Sequence, residues 1–302
     1  MPHLSVGLIG AGLMGRGMGR NLLRKGYALC VYDVDPAAVA ALAKDGATAA
    51  ASPAGAAQNS DLVITVLPDG PQVESAILET AGALGSARPG TIFVECSTVD
   101  PIITERVGTA MRQKGYSMVD AAMGRGPQQA EEGKLFFMVG ATQDDFAVVL
   151  PVLQAMGTDI VHCGGPCAGI AMKLVLNLLS ISIMAADLEA FVLGAKAGLD
   201  FETMARVLAL SLADNRHIPV TMREQVLPGK YEPGFKASLA HKDLGLAMNM
   251  AARLGVPLFA LNGARQLFSL AISRGKGERT MSVIGAVLED LTGTSLGRSA
   301  GQ

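Results

Sequence analysis

The chain has 302 residues, which is enough for two domains of ordinary size. Half of the residues are hydrophobic and 17% are charged, a balance typical of a folded globular protein. The formal net charge is −2, there is no Trp and no run of basic residues, so the chain lacks the electrostatic pattern of a nucleic-acid-binding protein. We therefore expect a globular protein with no nucleic-acid partner.

The cysteines and the apolar segments bear on where the protein works. No basic stretch followed by a long apolar run, typical of an export signal, is found at the N-terminus. The apolar stretch from Leu174 to Ala186 is interrupted by Asn177 and bounded by charged residues, which predicts a buried helix rather than a membrane span. The cysteines are few, at positions Cys30, Cys96, Cys163 and Cys167. We expect a cytoplasmic protein with reduced thiols.

Short β-branched runs alternate with helical stretches from the N-terminus to about residue 161. This alternation predicts a mostly parallel sheet with helices on both faces. The predicted strands are Ser5–Ile9, Ala28–Tyr32, Leu62–Val66, Thr91–Glu95, Ser117–Asp120 and Phe136–Val139.

The pattern changes after Gly164-Gly165-Pro166. Long segments rich in Leu, Met and Ala follow, with helical spacing and breaks such as Gly198 and Pro257, and they contain no convincing strand. We place a domain boundary near residue 164. The prediction is an α/β domain over residues 1–164 and an all-α domain over residues 165–302.

A glycine-rich turn follows the first strand. Gly10-Ala-Gly12-Leu13-Met14-Gly15 fits the pattern G-x-G-x-x-G between a strand and a helix. In a Rossmann-type domain these glycines permit the tight turn, the approach of the backbone to a pyrophosphate, and close packing of helix on strand. The phosphates then bind at the positive N-terminus of the helix. The sequence predicts a dinucleotide-binding site here.

Asp33 ends the second predicted strand, 21 residues after Gly12. An acidic side chain at that place accepts hydrogen bonds from the adenine ribose and repels a 2′-phosphate, so NAD is favoured over NADP. The alternative is that Asp33 is only a turn residue in Asp33-Val-Asp-Pro36 and that the glycines form a structural turn.

The segment from Gly10 to Leu22, with Ala11 where Leu is usual, resembles the N-terminal signature of the β-hydroxyacid dehydrogenases, which include 3-hydroxyisobutyrate dehydrogenase. Leu67-Pro68, Ser97-Thr98 and Lys242-Asp243-Leu244 are similar to further motifs of this family, in the same order. The resemblance implies that Leu67, Pro68, Thr98 and Lys242 border the cofactor. It also implies a homodimer or homotetramer.

The family's catalytic helix carries a Lys followed one turn later by Asn, and here Lys173 and Asn177 match that pair. At i and i+4 the two residues share one helix face. The resemblance implies that Lys173 is the general acid and base, taking the hydroxyl proton of a short 3-hydroxy acid or returning it to a semialdehyde. Asn177 is expected to orient Lys173 or the reacting oxygen. The alternative is that Lys173 is an exposed lysine at the start of a helix and Asn177 a hydrogen-bonded amide in the core. The histidines and cysteines do not have the spacing of metal ligands, and the expected reaction needs no metal.

The sequence departs from the family pattern in two places. Leu176-Asn177 stands where Asn-Asn is usual. Gly124-Arg125-Gly126 stands where Ser-Gly-Gly is common, and the Gly-Arg pair is similar to that of the family's sulfolactaldehyde reductases. Since Arg presents a planar fork of donors, we expect this loop to hold an anionic group of the substrate; the alternative is that Arg125 points to solvent.

Two other functions remain open. The chain could be an imine reductase on the same scaffold, although those proteins generally lack the catalytic Lys. It could also be a catalytically silent dinucleotide-binding module that acts through interactions, binding cofactor without turnover.

Overall fold

The computed structural model describes residues 4–232 and 234–297. The chain forms two compact units that divide between Lys173 and Leu174. The first unit contains the sheet and the helices on its faces, and the second is helical. An α/β Rossmann-type fold followed by an all-α region is confirmed.

The first unit alternates strands and helices almost throughout. The strands are β1 Ser5–Ile9, β2 Ala28–Tyr32, β3 Thr48–Ala49, β4 Leu62–Thr65, β5 Ile92–Glu95, β6 Ser117–Gly124, β7 Leu135–Gly140 and β8 Gly157–Gly164. The helices are α1 Leu13–Arg24, α2 Pro36–Lys44, α3 Pro53–Ala57, α4 Gly70–Leu78, α5 Pro101–Gln113, α6 Pro127–Glu131 and α7 Gln143–Met156, with a 3₁₀ turn at Ala83–Gly85.

Several of these helices begin at a recognisable local signal. The side chains of Asp35, Ser52 and Asp100 each accept a backbone N–H of the first turn, and each is followed by a proline at the first helical position. A capping side chain satisfies an unpaired donor, and proline there has the helical φ and no N–H to leave unpaired. These pairs explain where α2, α3 and α5 start.

The strands form one sheet in the order β3-β2-β1-β4-β5-β6-β7-β8. All neighbouring pairs are parallel except β6 and β7, which are antiparallel. The six predicted strands are all present, and β6 continues four residues beyond its predicted end. The sequence missed β3, which has only two residues, both exposed, and β8, an edge strand whose residues are mostly exposed or half-buried and whose ends are glycines.

The second unit is built around α8, which runs from Ala168 in the first unit to Lys196. The other elements are α9 Phe201–Ala209, a π-helix His217–Val226, α10 Ala237–Arg253, α11 Ala264–Ser273, a 3₁₀ turn Met281–Val283 and α12 Ile284–Thr292. Within residues 174–232 and 234–297, strand-like pairing is limited to a single bridge between Lys236 and Thr280.

Helix α8 is longer than the predicted Leu174–Ala186. By length and composition it is the one described helix that could cross a membrane. However, Leu174, Met184 and Leu188 are fully buried in the core of the second unit together with Phe268 from α11. We therefore regard α8 as the core helix of this unit, as the sequence predicts.

Candidate active site

The glycine-rich turn has the geometry that its sequence predicts. Gly10 follows β1 with φ +102°, and a Cβ there would overlap the carbonyl oxygen of Val66. A Cβ on Gly15 would overlap the carbonyl oxygen of Gly10, so Gly15 allows α1 to pack against the turn. Gly12 differs, since a Cβ there would meet nothing within 4 Å. The space over Gly12 is thus open, as a backbone approached by a pyrophosphate requires.

The first turn of α1 offers backbone donors to an anion. Gly12 is the N-cap, Leu13, Met14 and Gly15 form the first turn, and among the described residues no side chain caps this end. The first turn contains no acidic residue. Unpaired N–H groups and the helix dipole make such an end favourable for phosphate. The residues present therefore fit the phosphates of a dinucleotide.

Asp33 lies immediately after β2 and contacts the glycine-rich turn. Its carboxylate accepts the N–H of Ala11 at 2.6 Å through one oxygen and the N–H of Asp35 at 2.8 Å through the other. The neighbouring Val34 is 86% exposed, so the position beside Asp33 is open. The bonds hold a negative charge at the place where the adenine ribose is expected.

The other predicted cofactor residues of the first unit lie at the same edge of the sheet. Leu67 and Pro68 follow β4, and Thr98 follows β5. Because β2, β1, β4 and β5 are adjacent and parallel, their carboxyl ends meet, which is where doubly wound sheets bind ligands. The N–H of Leu67 donates to the Ser97 hydroxyl at 2.8 Å and so joins the two loops.

A buried glutamate lies beneath these loops. Glu95 is 2% exposed at the end of β5 and accepts hydrogen bonds from the Thr65 hydroxyl at 2.7 Å and from the Ser97 N–H. Burial raises the pKa of Glu95 to about 7, and the hydrogen bonds from Ser97 and Thr65 oppose that rise. The negative charge of Asp120, its register partner on β6, raises the pKa further.

The predicted substrate loop follows β6. Gly124 ends the strand, Arg125 has the left-handed φ of 71°, and Gly126 precedes α6. The Arg125 guanidinium donates to the carbonyl of Lys134 at 2.6 Å, and it also bonds to two side chains of β8. Those side chains are Thr158, at 3.0 Å, and Asp159, at 2.6 Å.

These bonds constrain what the loop can do. The N–H of Gly126 also has a partner, the side-chain oxygen of Gln129 at 3.2 Å. To bind a substrate anion through its side chain, Arg125 would have to exchange Asp159 for that anion. The ion pair with Asp159 is partly exposed, and such pairs contribute little to stability, so the exchange is inexpensive.

The predicted catalytic pair lies on α8. Lys173 is half-buried, and Asn177, one turn later, is 8% exposed. The side-chain amide of Asn177 donates to the carboxylate of Asp243 on α10 at 2.6 Å. Asp243 is itself buried, and the predicted cofactor residue Lys242 precedes it, with 3.6 Å between the Lys242 Nζ and an Asp243 oxygen. The bond fixes the orientation of the Asn177 amide, with its nitrogen towards Asp243.

Three buried carboxylates were not singled out from the sequence. Glu95 and Asp120 each interrupt an apolar strand, in Ile92-Phe-Val-Glu95 and Met118-Val-Asp120-Ala, and Asp243 lies inside α10. A charged residue in an apolar strand is costly to bury without partners, and that cost was the signal available in the sequence. Among the residues that the structure describes, no cluster of three or more His, Cys, Asp or Glu could hold a metal ion.

Two family models cover most of the chain. Residues 5–165 match the NAD-binding domain of 6-phosphogluconate dehydrogenase. Residues 167–288 match the NAD-binding domain of NADP-dependent 3-hydroxyisobutyrate dehydrogenase. The chain belongs to the β-hydroxyacid dehydrogenase family. The predictions of this family, of an oxidoreductase and of an NAD-type cofactor are confirmed.

Relatives of the chain are similar over nearly their whole length. The 3-sulfolactaldehyde reductase of Escherichia coli (strain K12) is 35% identical over 93% of this chain and 94% of its own. The 2-(hydroxymethyl)glutarate dehydrogenase of Eubacterium barkeri is 37% identical over 99% of both chains. The structure of 3-hydroxyisobutyrate dehydrogenase from Mycobacterium tuberculosis with L-serine has a TM-score of 0.88 and 28% identity, covering 95% of this chain and 99% of that one.

Imine reductases share the fold at a greater distance. The imine reductase from Pseudomonas sp. has a TM-score of 0.60 and 22% identity over 95% of this chain and 99% of that one. This likeness shows a common architecture and carries no information about activity.

Proposed function

We propose that this protein interconverts a short 3-hydroxy acid, or its sulfonate analogue, and the corresponding semialdehyde with NAD(H). The observation that carries the proposal is the pair Lys173 and Asn177 on α8, with the Asn177 amide held by the carboxylate of Asp243. Burying part of a lysine and a whole amide on one helix face carries a desolvation cost, and polar groups of this kind are often found where they serve a catalytic site. The relatives described above are named for reactions of the same kind.

We assign NAD binding to the carboxyl edge of the sheet in the first unit. Gly10, Gly12 and Gly15 with the backbone of Leu13 and Met14 would bind the pyrophosphate. Asp33 would bind the adenine ribose and favour NAD over NADP. The loop residues Leu67, Pro68 and Thr98 would border the cofactor, and by resemblance so would Lys242.

When bound, the nicotinamide ring supplies hydride transfer. Lys173 would take the hydroxyl proton as the alcohol is oxidised and return it to the oxygen of the semialdehyde in the reverse direction. Asn177, with its nitrogen directed to Asp243, would present its amide oxygen to Lys173 or to the substrate hydroxyl. The loop Gly124-Arg125-Gly126 would hold the anionic end of the substrate and so place the carbinol.

The central experiment is a screen of NADH absorbance with purified protein and short 3-hydroxy acids and semialdehydes, including sulfonated and dicarboxylic ones. We expect turnover with at least one of them. Lys173→Ala should lower kcat about 100- to 10,000-fold, the range for loss of a general acid or base, with NADH affinity nearly unchanged. Lys196→Ala, an exposed lysine at the end of the same helix, is the matched control and should keep full turnover.

The alternatives predict other results when cyclic imines are added to the screen. A silent module would bind NADH without turnover on any hydroxy acid, and an imine reductase would reduce cyclic imines while Lys173→Ala left its rate unchanged. Either result would refute the proposed reaction.

We also propose that the protein is a cytoplasmic homodimer or homotetramer. Met172, Val175 and Leu179 lie at helical spacing on one face of α8 and are each at least 40% exposed, and Leu193 is 72% exposed. An apolar stripe of this kind commonly marks a subunit interface. Sedimentation should show a dimer or tetramer, and a stable monomer at micromolar concentration would contradict the proposal.

A further inference from the structure

Asp120 joins the sheet to the start of the helix that carries Lys173. It is 2% exposed in β6, and its two carboxylate oxygens accept the backbone N–H groups of Cys167, at 2.6 Å, and Ile170, at 2.7 Å. Both donors belong to the entry into α8, where N–H groups have no partner within the helix. A side chain nearly 50 residues away in the chain therefore caps this helix, in place of a local residue.

The capping carboxylate fits only because two neighbours lack side chains. Gly140 is paired with Asp120 across β6 and β7, and a Cβ on Gly140 would overlap the Asp120 carboxylate. A Cβ on Gly169, in the first turn of α8, would lie 2.8 Å from the other carboxylate oxygen and would overlap the carbonyl oxygen of Met138. The close contacts at Gly140 and Gly169 thus leave the Asp120 carboxylate a single position between the strands and the first turn of α8.

The backbone conformation of Cys167 and the electrostatics of Asp120 are both consistent with a carboxylate that caps the start of α8. Cys167 has a left-handed φ of 71°, a conformation that a residue other than glycine adopts only when its surroundings require it. Burial raises the pKa of Asp120 to about 6, and the N–H groups of Ile170 and Cys167 oppose that rise by stabilising the anion. A carboxylate at a helix N-terminus is also favoured by the helix dipole.

Lys173 lies three residues after Ile170, about one helical turn further along α8. A helix transmits a displacement of its first turn to the next, so whatever fixes the N–H of Ile170 also fixes the base of the Lys173 side chain. We propose that Asp120 is a positioning residue, which sets the place of residues 167–173, the start of α8, on the sheet and thereby aligns Lys173 for proton transfer. This inference rests on the proposed function of Lys173.

The test compares two ways of disturbing the contact. Asp120→Asn keeps the volume but replaces an accepting oxygen with a donor, which then faces an N–H group. Gly169→Ala keeps the carboxylate and displaces the helix. We expect each variant to lower kcat about 100-fold, the effect of misplacing a catalytic group by about 1 Å. The affinity for NADH, measured by fluorescence titration, should stay nearly unchanged, because β1, β2, β4 and β5 carry the cofactor residues.

A second readout does not depend on activity. Hydrogen–deuterium exchange of residues 167–172 should become faster in both variants while the strands keep their protection. The matched control is Gly165→Ala, close to the same helix start, where a Cβ would meet nothing within 4 Å and φ is not left-handed. This control should keep the kcat and the exchange pattern of the wild type.

Two results would overturn the inference. The first is faster exchange at residues 167–172 with an unchanged kcat, which would limit Asp120 to capping the helix. The second is a parallel loss of kcat, NADH affinity and protection throughout the sheet, which would make Asp120 a general structural residue. By contrast, absence of turnover in the wild type, or full turnover in Lys173→Ala, would refute the proposed function and leave the exchange result to stand by itself.

Discussion

Glu95→Gln should gain stability relative to the wild type as the pH rises from 5 to neutral. The usual pKa of Glu95, 4.5, is raised to about 7 in the folded chain, chiefly by burial. Between these values the folded chain keeps a proton that the unfolded chain releases, so stability present below pH 4.5 is lost as the pH rises to about 7. Each pH unit is worth about 1.4 kcal/mol, which gives a total loss of about 3 kcal/mol.

Glutamine fits the same bonds without that loss. Its amide oxygen can accept the Ser97 N–H, and its amide nitrogen can donate to the Thr65 hydroxyl, which now accepts a bond in place of donating one. The assay is urea unfolding of the wild type and of Glu95→Gln at intervals between pH 5 and pH 8. The difference in unfolding free energy between Glu95→Gln and the wild type should be larger at pH 8 than at pH 5, by most of the expected loss of about 3 kcal/mol.

A companion variant tests the cause. Thr65→Val removes a hydrogen bond that favours the charged carboxylate, so the loss of stability should occur at higher pH than in the wild type. The double variant with Glu95→Gln should not show this displacement. If the difference in unfolding free energy between Glu95→Gln and the wild type is the same at every pH, the reasoning from burial of Glu95 is refuted.

Gly12→Ala should keep wild-type stability and weaken NAD binding, whereas Gly15→Ala should lower the melting temperature, because only the second Cβ overlaps protein atoms; equal stabilities would contradict the geometry. The wild type should bind NAD more tightly than NADP, and Asp33→Asn should reduce that preference in paired titrations, since the charge that repels a 2′-phosphate is gone. A wild type that prefers NADP would disprove this role. Arg125→Gly should raise the KM most for substrates with a second anionic group, and an unchanged KM for all of them would leave Arg125 only its contacts with β8.

Much of the fold follows from local pattern. The apolar runs place the six strands other than β3 and β8, and Asp-Pro and Ser-Pro pairs mark where α2, α3 and α5 begin. The apolar pattern does not reveal β8, because this edge strand has no buried apolar run or regular apolar alternation in its sequence. Its partners are backbone groups of β7, and backbone hydrogen bonding leaves no mark on side-chain composition.

The candidate site likewise contains some features that the sequence reveals and others that it does not. Gly10, Gly12 and Gly15 can be recognised from the sequence because the tight turn and the close approach of a pyrophosphate to the backbone leave no room for a side chain. The contacts of Asp120 and Asp243 are not, since each bonds to residues more than 40 positions away that only the fold brings near. A buried charge can be suspected from sequence, but its partner depends on the tertiary structure.

The left-handed backbone at Arg125 restricts what can replace that residue. Glycine adopts this conformation without strain, while arginine offsets the strain through its bonds to Lys134, Thr158 and Asp159. Most other residue types would keep the strain and lose the bonds, with Asn and Asp, which adopt the left-handed region more readily, as the exceptions. In a library that varies position 125 to change substrate preference, many variants would therefore lose stability, and this loss would remove them before their substrate recognition could be compared.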